Sequence, residues 1–583
     1  MPSDRLRPHF AVLLALAFLL VAAWLLTQFW ASAATGFSDP DDAMRLAQVR
    51  EFLAGKGWFD LAEPRLNPPD GYLTHWSRLI DLGLAGLFLL ARAFTGPEMA
   101  ERVMIELWPV LWLVPAMGGV CALAWRSGGR DAALVALMLA TLGLPAFQHF
   151  QPGRIDHHNV QITLAILTVA AAAWSDRLRW AAVAAGLLSA LAFAIGLESL
   201  PWIVLAGAAI ALRFVFDRDG AAALRAYGVA LATGTLAAFF TDVAPAHWFV
   251  SVCDALAFNL ALPIVVAGAM LAALSTMGAR ASRNMRAAGV LFCAAVALGI
   301  FASIEPRCLR GPFAMVDPAI RPIWLAYVEE MKSLVEIFRE MPVTGAWVSA
   351  FPAAALIATL CLLRTPLRRD FGLLSAAGAL IVSAVLTLAM VKTYSYAMWF
   401  GMPLVATGAA YLFTRLRLGL PARFIGATLL TPIVISAVAI SLAHVGSVMQ
   451  PAPPKRLGCF KTEAYAPLAG LPKGLIVADV DLGSTLLLLT NHAVLAAPYH
   501  RLSSSILISH RILSAPPDEA HALLEKIRAT YVVLCGAAKP IGLEDAAATG
   551  GLWAKLAAGD VPAWLSRVPM PEGSAFIVYR IGT

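Results

Sequence analysis

Residues 104–126 read MIELWPVLWLVPAMGGVCALAWR, and residues 131–149 read DAALVALMLATLGLPAFQH. Each run is apolar over roughly 20 residues, the length that an α-helix needs to cross the hydrocarbon core of a bilayer. The short connection between them carries Arg126 and Arg130. This stretch therefore predicts two consecutive membrane-spanning helices with a basic turn between them.

The composition of the whole chain agrees with a membrane protein. Of its 583 residues, 60% are hydrophobic and only 14% are charged, and the mean hydropathy is +0.73, well above that of a soluble domain. The formal net charge of +7 comes from short basic clusters between apolar runs. Such clusters are typical of topology signals and not of a nucleic-acid-binding surface. We therefore expect a polytopic membrane protein in contact with lipid, with no nucleic-acid partner.

Thirteen apolar runs are long enough to span a bilayer. They cover residues 10–31, 104–126, 131–149, 157–175, 179–197, 199–216, 224–242, 257–276, 286–304, 344–363, 372–391, 397–415 and 422–446. A further run, 79–94, is shorter and follows Trp76 and Arg78. We expect this run on the membrane surface or partly embedded, because counting it as a span would break the alternation of charge along the chain.

Arginine clusters fall in alternate connections between the predicted spans. With the N-terminus inside, all of them lie in the cytoplasm, as the positive-inside rule requires. They are Arg126 with Arg130, Arg177 with Arg179, Arg213 with Arg218 and Arg225, Arg280 with Arg283 and Arg286, Arg364 with Arg368 and Arg369, and Arg415 with Arg417 and Arg423. The outer face then carries two long loops, 35–79 and 305–342, and all the candidate chemistry. We predict a multi-pass protein of the inner (plasma) membrane with a cytoplasmic N-terminus.

The N-terminus has the pattern of a secretory signal. Arg5 and Arg7 precede an apolar run from Phe10 to Trp30, and Ala31-Ser32-Ala33 fits a cleavage site. The run is nevertheless long enough to span a bilayer. We therefore expect an uncleaved anchor.

The chain changes character after the last predicted span, where Pro451 to Pro454 indicate a linker. The segment beyond it contains predicted strands at 474–478 and 531–534 and a predicted helix at 517–529. We divide the chain into a membrane domain, 1–450, and an extracytoplasmic α/β domain, 451–583. Cys459 and Cys535 lie in the second domain, where a disulfide is permitted but does not follow from position alone.

Asp39-Pro40-Asp41-Asp42 opens a predicted helix in the first outer loop. An aspartate N-cap, a proline at the first helical position and acids in the first turn are the usual start of an ordinary helix. Taken alone, the pattern favours helix capping.

Asp156 and His158 begin the fourth predicted span, at the edge of the membrane. An acid and an imidazole are costly there unless they have partners. Two interpretations remain open: these side chains bind one divalent cation together with Asp39, or they form a hydrogen-bonded pair without metal. In the first case, two oxygen ligands and one nitrogen suit Mn²⁺ or Mg²⁺ better than structural zinc.

Two further segments on the outer face carry charge. Glu329 and Glu330 lie in the long loop 305–342, and long loops are often functional, although a solvated helix face explains the pair as well. Lys392 and Tyr396 lie where the eleventh span emerges. Such a lysine either neutralises a lipid phosphate or anchors the helix at the interface.

Three motifs, in order along the chain, resemble the catalytic subunit of oligosaccharyltransferase, especially its archaeal form. The motifs are Asp39-Pro40 followed by Arg45, then His75-Trp76-Ser77-Arg78-Leu79-Ile80-Asp81, then Gly153-x-x-Asp156-His157-His158. That family belongs to the GT-C membrane glycosyltransferases. The resemblance implies a fold of thirteen spans followed by a C-terminal domain on the outer face.

The resemblance also implies roles for individual residues. Asp39, Asp156 and His158 correspond to the family's divalent-metal ligands. The family carries a T-I-x-E or S-V-x-E element in a flexible outer loop, which Tyr327-Val328-Glu329-Glu330 resembles. Glu330 then takes the role of the loop glutamate.

The donor and acceptor sides are implied in the same way. A basic residue near the late spans contacts the donor phosphate in the family, and Lys392 with Tyr396 is the candidate here. The family's W-W-D-Y-G element reads the acceptor, and the corresponding segment here is Asp479-Val480-Asp481-Leu482-Gly483. Asp481 and Gly483 persist while both tryptophans are absent, so we expect an acceptor other than the usual protein sequon.

The resemblance therefore implies a glycosyltransferase whose active site lies on the outer face of the plasma membrane. It would move a sugar from a polyprenyl phosphate or diphosphate donor to a lipid, glycan or protein acceptor, with metal assistance and inversion at the sugar carbon. Asp39 would also help to position the acceptor nucleophile, and Arg45 would hold the donor or Asp39 itself. The alternative is a transporter or lipid-linked-sugar flippase that uses Asp156 and His158 as an ion or proton site.

Overall fold

A computed structural model describes residues 8–33, 35–37, 39–277, 281–444, 457–536, 538–543 and 550–582. The helices are α1 (Pro8–Ala33), α2 (Pro40–Leu53), α3 (Arg78–Arg92), α4 (Pro97–Leu111), α5 (Leu113–Thr141), α6 (His158–Trp174), α7 (Arg179–Ile195), α8 (Leu200–Phe216), α9 (Ala221–Asp242), α10 (Phe258–Thr276), α11 (Arg283–Ile304), α12 (Leu334–Glu340), α13 (Pro342–Leu362), α14 (Phe371–Ala389), α15 (Tyr394–Arg415), α16 (Leu420–Leu429), α17 (Pro432–His444), α18 (Ala466–Ala469), α19 (Gly483–Leu489), α20 (Ser503–Ser514), α21 (Pro517–Lys526) and α22 (Leu552–Ala557). The strands are β1 (Ala62–Glu63), β2 (Tyr72–Leu73), β3 (Leu475–Ala478), β4 (Ala493–Val494), β5 (Tyr531–Cys535), β6 (Leu565–Arg567) and β7 (Phe576–Ile581).

Long apolar helices dominate the first three quarters of the chain. Among the described residues, eight helices are long and apolar enough to cross a membrane, or nine if the bent pair α16 and α17 is one span. α6, α7 and α8 are apolar but shorter. Each run predicted from the sequence overlaps a helix, which confirms the polytopic helical fold. The number thirteen stays a prediction.

Three predicted spans differ in detail from the structure. The span predicted at 104–126 is divided between α4 and α5 at Trp112. The span predicted at 131–149 ends at Thr141, since Pro145 lies in the following turn and proline cannot continue a helix. The span predicted at 422–446 is broken into α16 and α17, bent by 51°, where Pro432 begins the second piece. Gly129 interrupts α5 with φ of 71°, a conformation that favours glycine, in the connection predicted between Arg126 and Arg130.

The predicted surface run is helix α3, which has two distinct faces. One face is buried and includes Ile80, Asp81 and Leu84. The other exposes Leu82 and Leu89. Its 15 residues are too few to span a bilayer, and its location at the membrane surface stays a prediction.

The C-terminal region contains the predicted α/β fold. Five strands form one sheet in the order β4-β3-β5-β7-β6. The two predicted strands, β3 and β5, are parallel neighbours with Ile476 opposite Tyr531, and the predicted helix is α21. Cys459 and Cys535 form a disulfide, as do Cys253 and Cys308.

Several sequence predictions fall outside the described residues. These are the basic pair before the first span, Ser38, Arg280 and the proline linker, at positions 5, 7, 38, 280 and 451–454. The boundary between the two domains at 450 and 451 is therefore also outside them, and it stays a prediction.

The outer loops share a core with the C-terminal region. One core joins the spanning helices. The second is built on the C-terminal sheet and includes Met44, Tyr72 and Trp76 of the first outer loop and Ile320 and Trp324 of the second. The two loops and the sheet therefore pack together over one end of the helical bundle.

Candidate active site

The candidate site lies at that same end of the bundle. Four segments meet there: the start of α2, the turn before α6, the connection between α7 and α8, and the start of α15. The contacts that join them are between Asp39 and Arg154, between His158 and Glu198, and between Glu198 and Tyr396. The sequence-predicted residues of these segments are thus brought together.

Asp39 has both a capping role and a contact within the site. Its Oδ1 accepts a hydrogen bond from the Asp41 N–H at 3.0 Å, as a helix N-cap does. Its Oδ2 lies 2.8 Å from Arg154 Nη1. Burial would raise the pKa of Asp39, but the charge of Arg154, together with the hydrogen bonds from Arg154 and from the Asp41 N–H, holds the pKa below its usual value. The two interpretations of this helix start are therefore compatible.

Arg154 and Asp42 organise the turn before α6; sequence reasoning assigned no role to Arg154 and only a helix-start role to Asp42. Arg154 contacts Asp39, Asp42 Oδ2 at 3.3 Å and Asp156 Oδ2 at 2.7 Å. Asp42 is buried, and its Oδ1 accepts from the Ile155 and Asp156 N–H groups at 2.8 and 3.0 Å. Burial raises the pKa of Asp42 well above its usual range, although Arg154 opposes the rise. Asp42 therefore holds the turn before α6 in place.

Asp156 and His158 form the centre of the site. Asp156 is fully buried and its Oδ1 accepts from the His158 N–H at 3.0 Å. Burial would raise the pKa of Asp156, but His158 and Arg154 hold it below its usual value. His158 Nε2 lies 4.0 Å from Asp156 Oδ2, and His158 Nδ1 lies 2.6 Å from Glu198 Oε2. Each ring nitrogen of His158 therefore faces a carboxylate.

The candidate donor-side residues lie next to Glu198. Lys392 Nζ is 3.5 Å from Glu198 Oε2 and 3.5 Å from Glu330 Oε1. Tyr396 Oη donates to Glu198 Oε1 at 2.8 Å. The Glu330 side chain is 43% exposed. Of the two loop glutamates, Glu330 is thus the one in contact with Lys392.

Two overlapping sets of side chains offer ligand atoms for a divalent cation. Two ligand atoms that each lie about 2.1 Å from one ion are at most about 4.2 Å apart, and the 4.0 Å from His158 Nε2 to Asp156 Oδ2 meets this limit. The Asp39 and Asp156 carboxylates both contact the Arg154 guanidinium, which lies between them. A second set, His157, His158 and Glu198, has one ligand atom of each residue within 4.8 Å of the others. His158 belongs to both sets.

Arg45 lies close to the site but contacts a different acid. Its Nη1 is 2.7 Å from Asp81 Oδ1, and both side chains are 1% exposed. Arg78 Nη1 contacts the other oxygen of Asp81 at 2.8 Å. The Arg45 guanidinium also lies 4.6 Å from the centre of the Trp76 ring. Arg45 lies in α2 and Asp81 lies in α3, so this ion pair joins the two helices. Asp81 is the last residue of the motif that begins at His75.

The segment Asp479-Val480-Asp481-Leu482-Gly483, predicted to correspond to the family's W-W-D-Y-G element, leads into helix α19, which packs against α2. A Cβ at Gly483 would lie 2.1 Å from the Ala496 carbonyl oxygen, so this position requires glycine for packing. Asp481 N–H donates to the Asp479 side chain at 3.2 Å. Tyr499 Oη, from the same domain, contacts the Pro40 carbonyl oxygen at 3.2 Å. The C-terminal domain therefore reaches the residue next to Asp39.

A second charged cluster joins the C-terminal region to the first long loop and to the connection between α9 and α10. Arg501 Nη2 and Nε contact the two oxygens of Asp254, each at 2.7 Å, and His500 Nε2 is 2.7 Å from Asp254 Oδ2. The His75 ring lies 4.9 Å from the His500 ring. His75, Asp254 and His500 have the geometry of metal ligands. Because Arg501 already neutralises both oxygens of Asp254, we interpret the cluster as an ion-pair network between the domains.

We expect Asp254→Ala to loosen the C-terminal domain. The substitution leaves Arg501 and His500 without their shared acceptor, and a destabilised domain contact lowers the melting temperature by about 2 to 4 °C for each kcal/mol lost. Thermal unfolding of the detergent-solubilised protein measures this change. Asp70→Ala removes an exposed outer-loop carboxylate and serves as the matched control. Equal melting temperatures for the two variants would contradict the interpretation.

Solved structures of archaeal enzymes match the chain over nearly its whole length. The archaeal oligosaccharyltransferase AglB from Archaeoglobus fulgidus, in complex with an inhibitory peptide and a dolichol-phosphate, is 15% identical, with a TM-score of 0.68 over 98% of this chain and 74% of that chain. The chain has the fold of the archaeal oligosaccharyltransferase. The apo form of the Archaeoglobus fulgidus oligosaccharyltransferase is 16% identical, with a TM-score of 0.67 over 90% of this chain and 69% of that chain.

A third match is the Archaeoglobus fulgidus oligosaccharyltransferase in complex with Zn and sulfate, 15% identical, with a TM-score of 0.58 over 97% of this chain and 72% of that chain. No protein-family model and no curated protein matches the sequence. The structural matches confirm the GT-C fold that the three sequence motifs implied.

Proposed function

We propose that this protein is a metal-dependent glycosyltransferase that moves a sugar or oligosaccharide from a polyprenyl phosphate or diphosphate to an acceptor. The observation that carries the proposal is the convergence of Asp39, Asp156 and His158 beside Lys392 in a chain with the oligosaccharyltransferase fold. A phosphate leaving group needs positive charge from more than one direction. Metal ligands next to a lysine supply that arrangement.

The similar structures support the classes of donor and cofactor. The archaeal oligosaccharyltransferase AglB is described with a dolichol-phosphate, which is a polyprenyl-type phosphate. An oligosaccharyltransferase of the same fold is described with Zn and sulfate. For this chain we propose Mn²⁺ or Mg²⁺, because two carboxylates and one imidazole suit these ions.

The two disulfides support an active site outside the cytosol. Cys253–Cys308 lies in the loops next to the site, and Cys459–Cys535 lies in the C-terminal domain that covers it. Disulfides persist in oxidising compartments and are rare in the cytosol. Together with the arginine clusters on the opposite side, they favour the outer face of the plasma membrane.

The proposed reaction is a single displacement that inverts the sugar carbon. The acceptor heteroatom forms a bond to the anomeric carbon and loses its proton to water, while the bond from that carbon to the phosphate oxygen breaks and its electron pair leaves with the phosphate. A bound divalent ion would neutralise charge on the departing phosphate. Asp39, Asp156 and His158 would hold the ion, and Lys392 would donate hydrogen bonds to the phosphate. Tyr396 donates a hydrogen bond to Glu198, which lies beside Lys392, and so fixes the position of the Glu198 carboxylate.

The acceptor side is proposed to lie between the two loops and the C-terminal domain. Glu330 is half-exposed at the rim of the site and can orient an incoming acceptor. Asp481 and Gly483 lie at the start of the helix that packs against α2. Because both tryptophans of the family's element are absent, we propose a lipid, glycan or protein acceptor other than a protein sequon.

We expect removal of divalent metal to abolish transfer and Mn²⁺ to restore it. The purified protein is incubated with a radiolabelled polyprenyl-linked sugar and cell-envelope lipids and glycans as acceptors, with and without chelator. Release of free sugar to water gives a second readout that needs no acceptor. Transfer that is unchanged by chelator would overturn the metal assignment. Neither transfer nor release from any polyprenyl-linked donor would overturn the proposed function.

A further inference from the structure

Glu198 contacts both His158, a proposed metal ligand, and Lys392, which is proposed to bind the donor phosphate. It lies in the connection between α7 and α8, and its side chain is 12% exposed. Its Oε2 is 2.6 Å from His158 Nδ1 and 3.5 Å from Lys392 Nζ. Its Oε1 accepts a hydrogen bond from Tyr396 Oη at 2.8 Å. Both oxygens of this carboxylate are therefore engaged within the site.

The partners of Glu198 are themselves rigid. Tyr396 is fully buried and stacks on Trp202, with 3.7 Å between the ring centres. Trp202 in turn donates from Nε1 to Ser383 Oγ at 2.8 Å. This chain of contacts fixes Tyr396, and Tyr396 fixes the orientation of the Glu198 carboxylate.

The contact between Glu198 and His158 determines which imidazole nitrogen can bind a metal. A carboxylate acceptor at 2.6 Å favours the proton on Nδ1. The lone pair of Nε2 is then directed away from Glu198, and Nε2 is the nitrogen 4.0 Å from Asp156 Oδ2. A carboxylate that accepts from one imidazole nitrogen while the other binds the ion is the common arrangement in metal sites.

We infer that Glu198 is a positioning residue that orients His158 toward the metal and couples the metal site to Lys392. The inference rests on the proposed function and assigns to Glu198 a role outside the ligand set. His158 and Lys392 both contact Oε2 of Glu198. A change in the contact with one of them therefore alters the negative charge on Oε2 that interacts with the other. Metal binding and donor-phosphate binding are therefore energetically coupled through this carboxylate.

The first test is the Mn²⁺ affinity of the purified protein, measured by electron paramagnetic resonance without donor or acceptor. Loss of a partner of this kind lowers metal affinity by about 10- to 100-fold. We expect Glu198→Ala to lower the Mn²⁺ affinity by about 100-fold and Glu198→Gln to lower it by about 10-fold. The loss is smaller for glutamine because its side-chain oxygen is still a neutral acceptor for the His158 Nδ1–H. Glu63→Gln is the matched control, since Glu63 is a buried outer-loop glutamate that pairs with Arg65.

The second test separates positioning from direct ligation. Pulsed electron paramagnetic resonance of bound Mn²⁺ detects the nitrogen of a coordinated imidazole. We expect Glu198→Ala to weaken or remove this nitrogen signal, as His158→Ala does. A large loss of affinity with an unchanged nitrogen signal would make Glu198 a ligand in the set with His157, and would overturn the positioning role.

The remaining outcomes also decide the question. If Asp156→Ala lowers Mn²⁺ affinity while both Glu198 variants bind like the unchanged protein, the inference about Glu198 is wrong and the proposed function stands. If the unchanged protein binds no Mn²⁺, the metal assignment of the proposed function fails and this inference fails with it. Glu198→Gln, which has nearly the same shape, keeps the test valid if Glu198→Ala does not fold.

Discussion

Replacing Asp156 by asparagine is expected to lower sugar transfer by about a hundredfold or more, since loss of even an indirect metal partner costs 10- to 100-fold. The asparagine oxygen can still accept from the His158 N–H, so the turn before α6 is preserved. The ionised carboxylate next to Arg154, Asp39 and His158 is lost. The expected loss therefore reports on charge at the metal position rather than on folding.

Two matched variants make this prediction specific. Asp42→Asn changes a neighbouring carboxylate that is buried and has a raised pKa, and asparagine can still accept from the Ile155 and Asp156 N–H groups. We expect it to keep most of the activity. Asp131→Asn changes an exposed carboxylate that pairs with Arg423 on the opposite side and should have no effect. Equal losses for Asp156→Asn and Asp42→Asn, measured as initial rates of transfer, would contradict the assigned roles.

The sequence predicts the helical fold because spanning helices depend on local composition. Apolar length alone identifies each run, and the long loops predicted at 35–79 and 305–342 lie between α1 and α3 and between α11 and α13, with the short helices α2 and α12 inside them. The ends of two runs were less predictable. Pro145 and Pro432 lie within apolar stretches, so hydropathy does not register them although they end or break helices.

The predicted site residues that lie close together in the structure were predicted in two ways. Some belong to the family motifs, and others are ionisable residues at the ends of predicted spans. The residues that sequence reasoning missed, Arg154, Asp42 and Glu198, act through contacts with distant segments. Arg154 reaches Asp39 across 115 positions and Glu198 reaches His158 across 40. A usable signal existed for Glu198, because an acid between two apolar helices is costly without a partner. For Asp42, the helix-start pattern hid its second role.

The position of the ionisable residues favours an enzyme over a transporter. A transporter places its ion or proton site near the bilayer midplane, between broken helices. Here Asp39, Asp156 and Glu198 lie at the starts or ends of helices, beneath the outer loops and the C-terminal domain. We expect such a location to give access to a lipid headgroup and an aqueous acceptor at the same time, as the proposed transfer between them requires.

Replacing Asp81 by alanine is expected to destabilise the protein by about 3–5 kcal/mol, the typical result of leaving a buried charge unpaired. Asp81 lies between Arg45 and Arg78, and all three side chains are at most 2% exposed. Removing Asp81 leaves two guanidinium groups unpaired. Arg45→Ala leaves Asp81 paired with Arg78 and should therefore cost less. Thermal unfolding in detergent measures both, with the exposed Glu98→Ala as control.

The same pair of variants decides what Arg45 does. If Arg45 holds the donor or a catalytic acid, Arg45→Ala loses transfer while its melting temperature stays near that of the control. If Arg45 instead positions α2 through Asp81 and Trp76, activity falls together with stability, and Asp81→Ala loses more of both. A fully active and fully stable Arg45→Ala protein would contradict both roles. Because Arg45 and Asp39 belong to one helix and its cap, the second result would explain why the motif joins them without any contact between Arg45 and substrate.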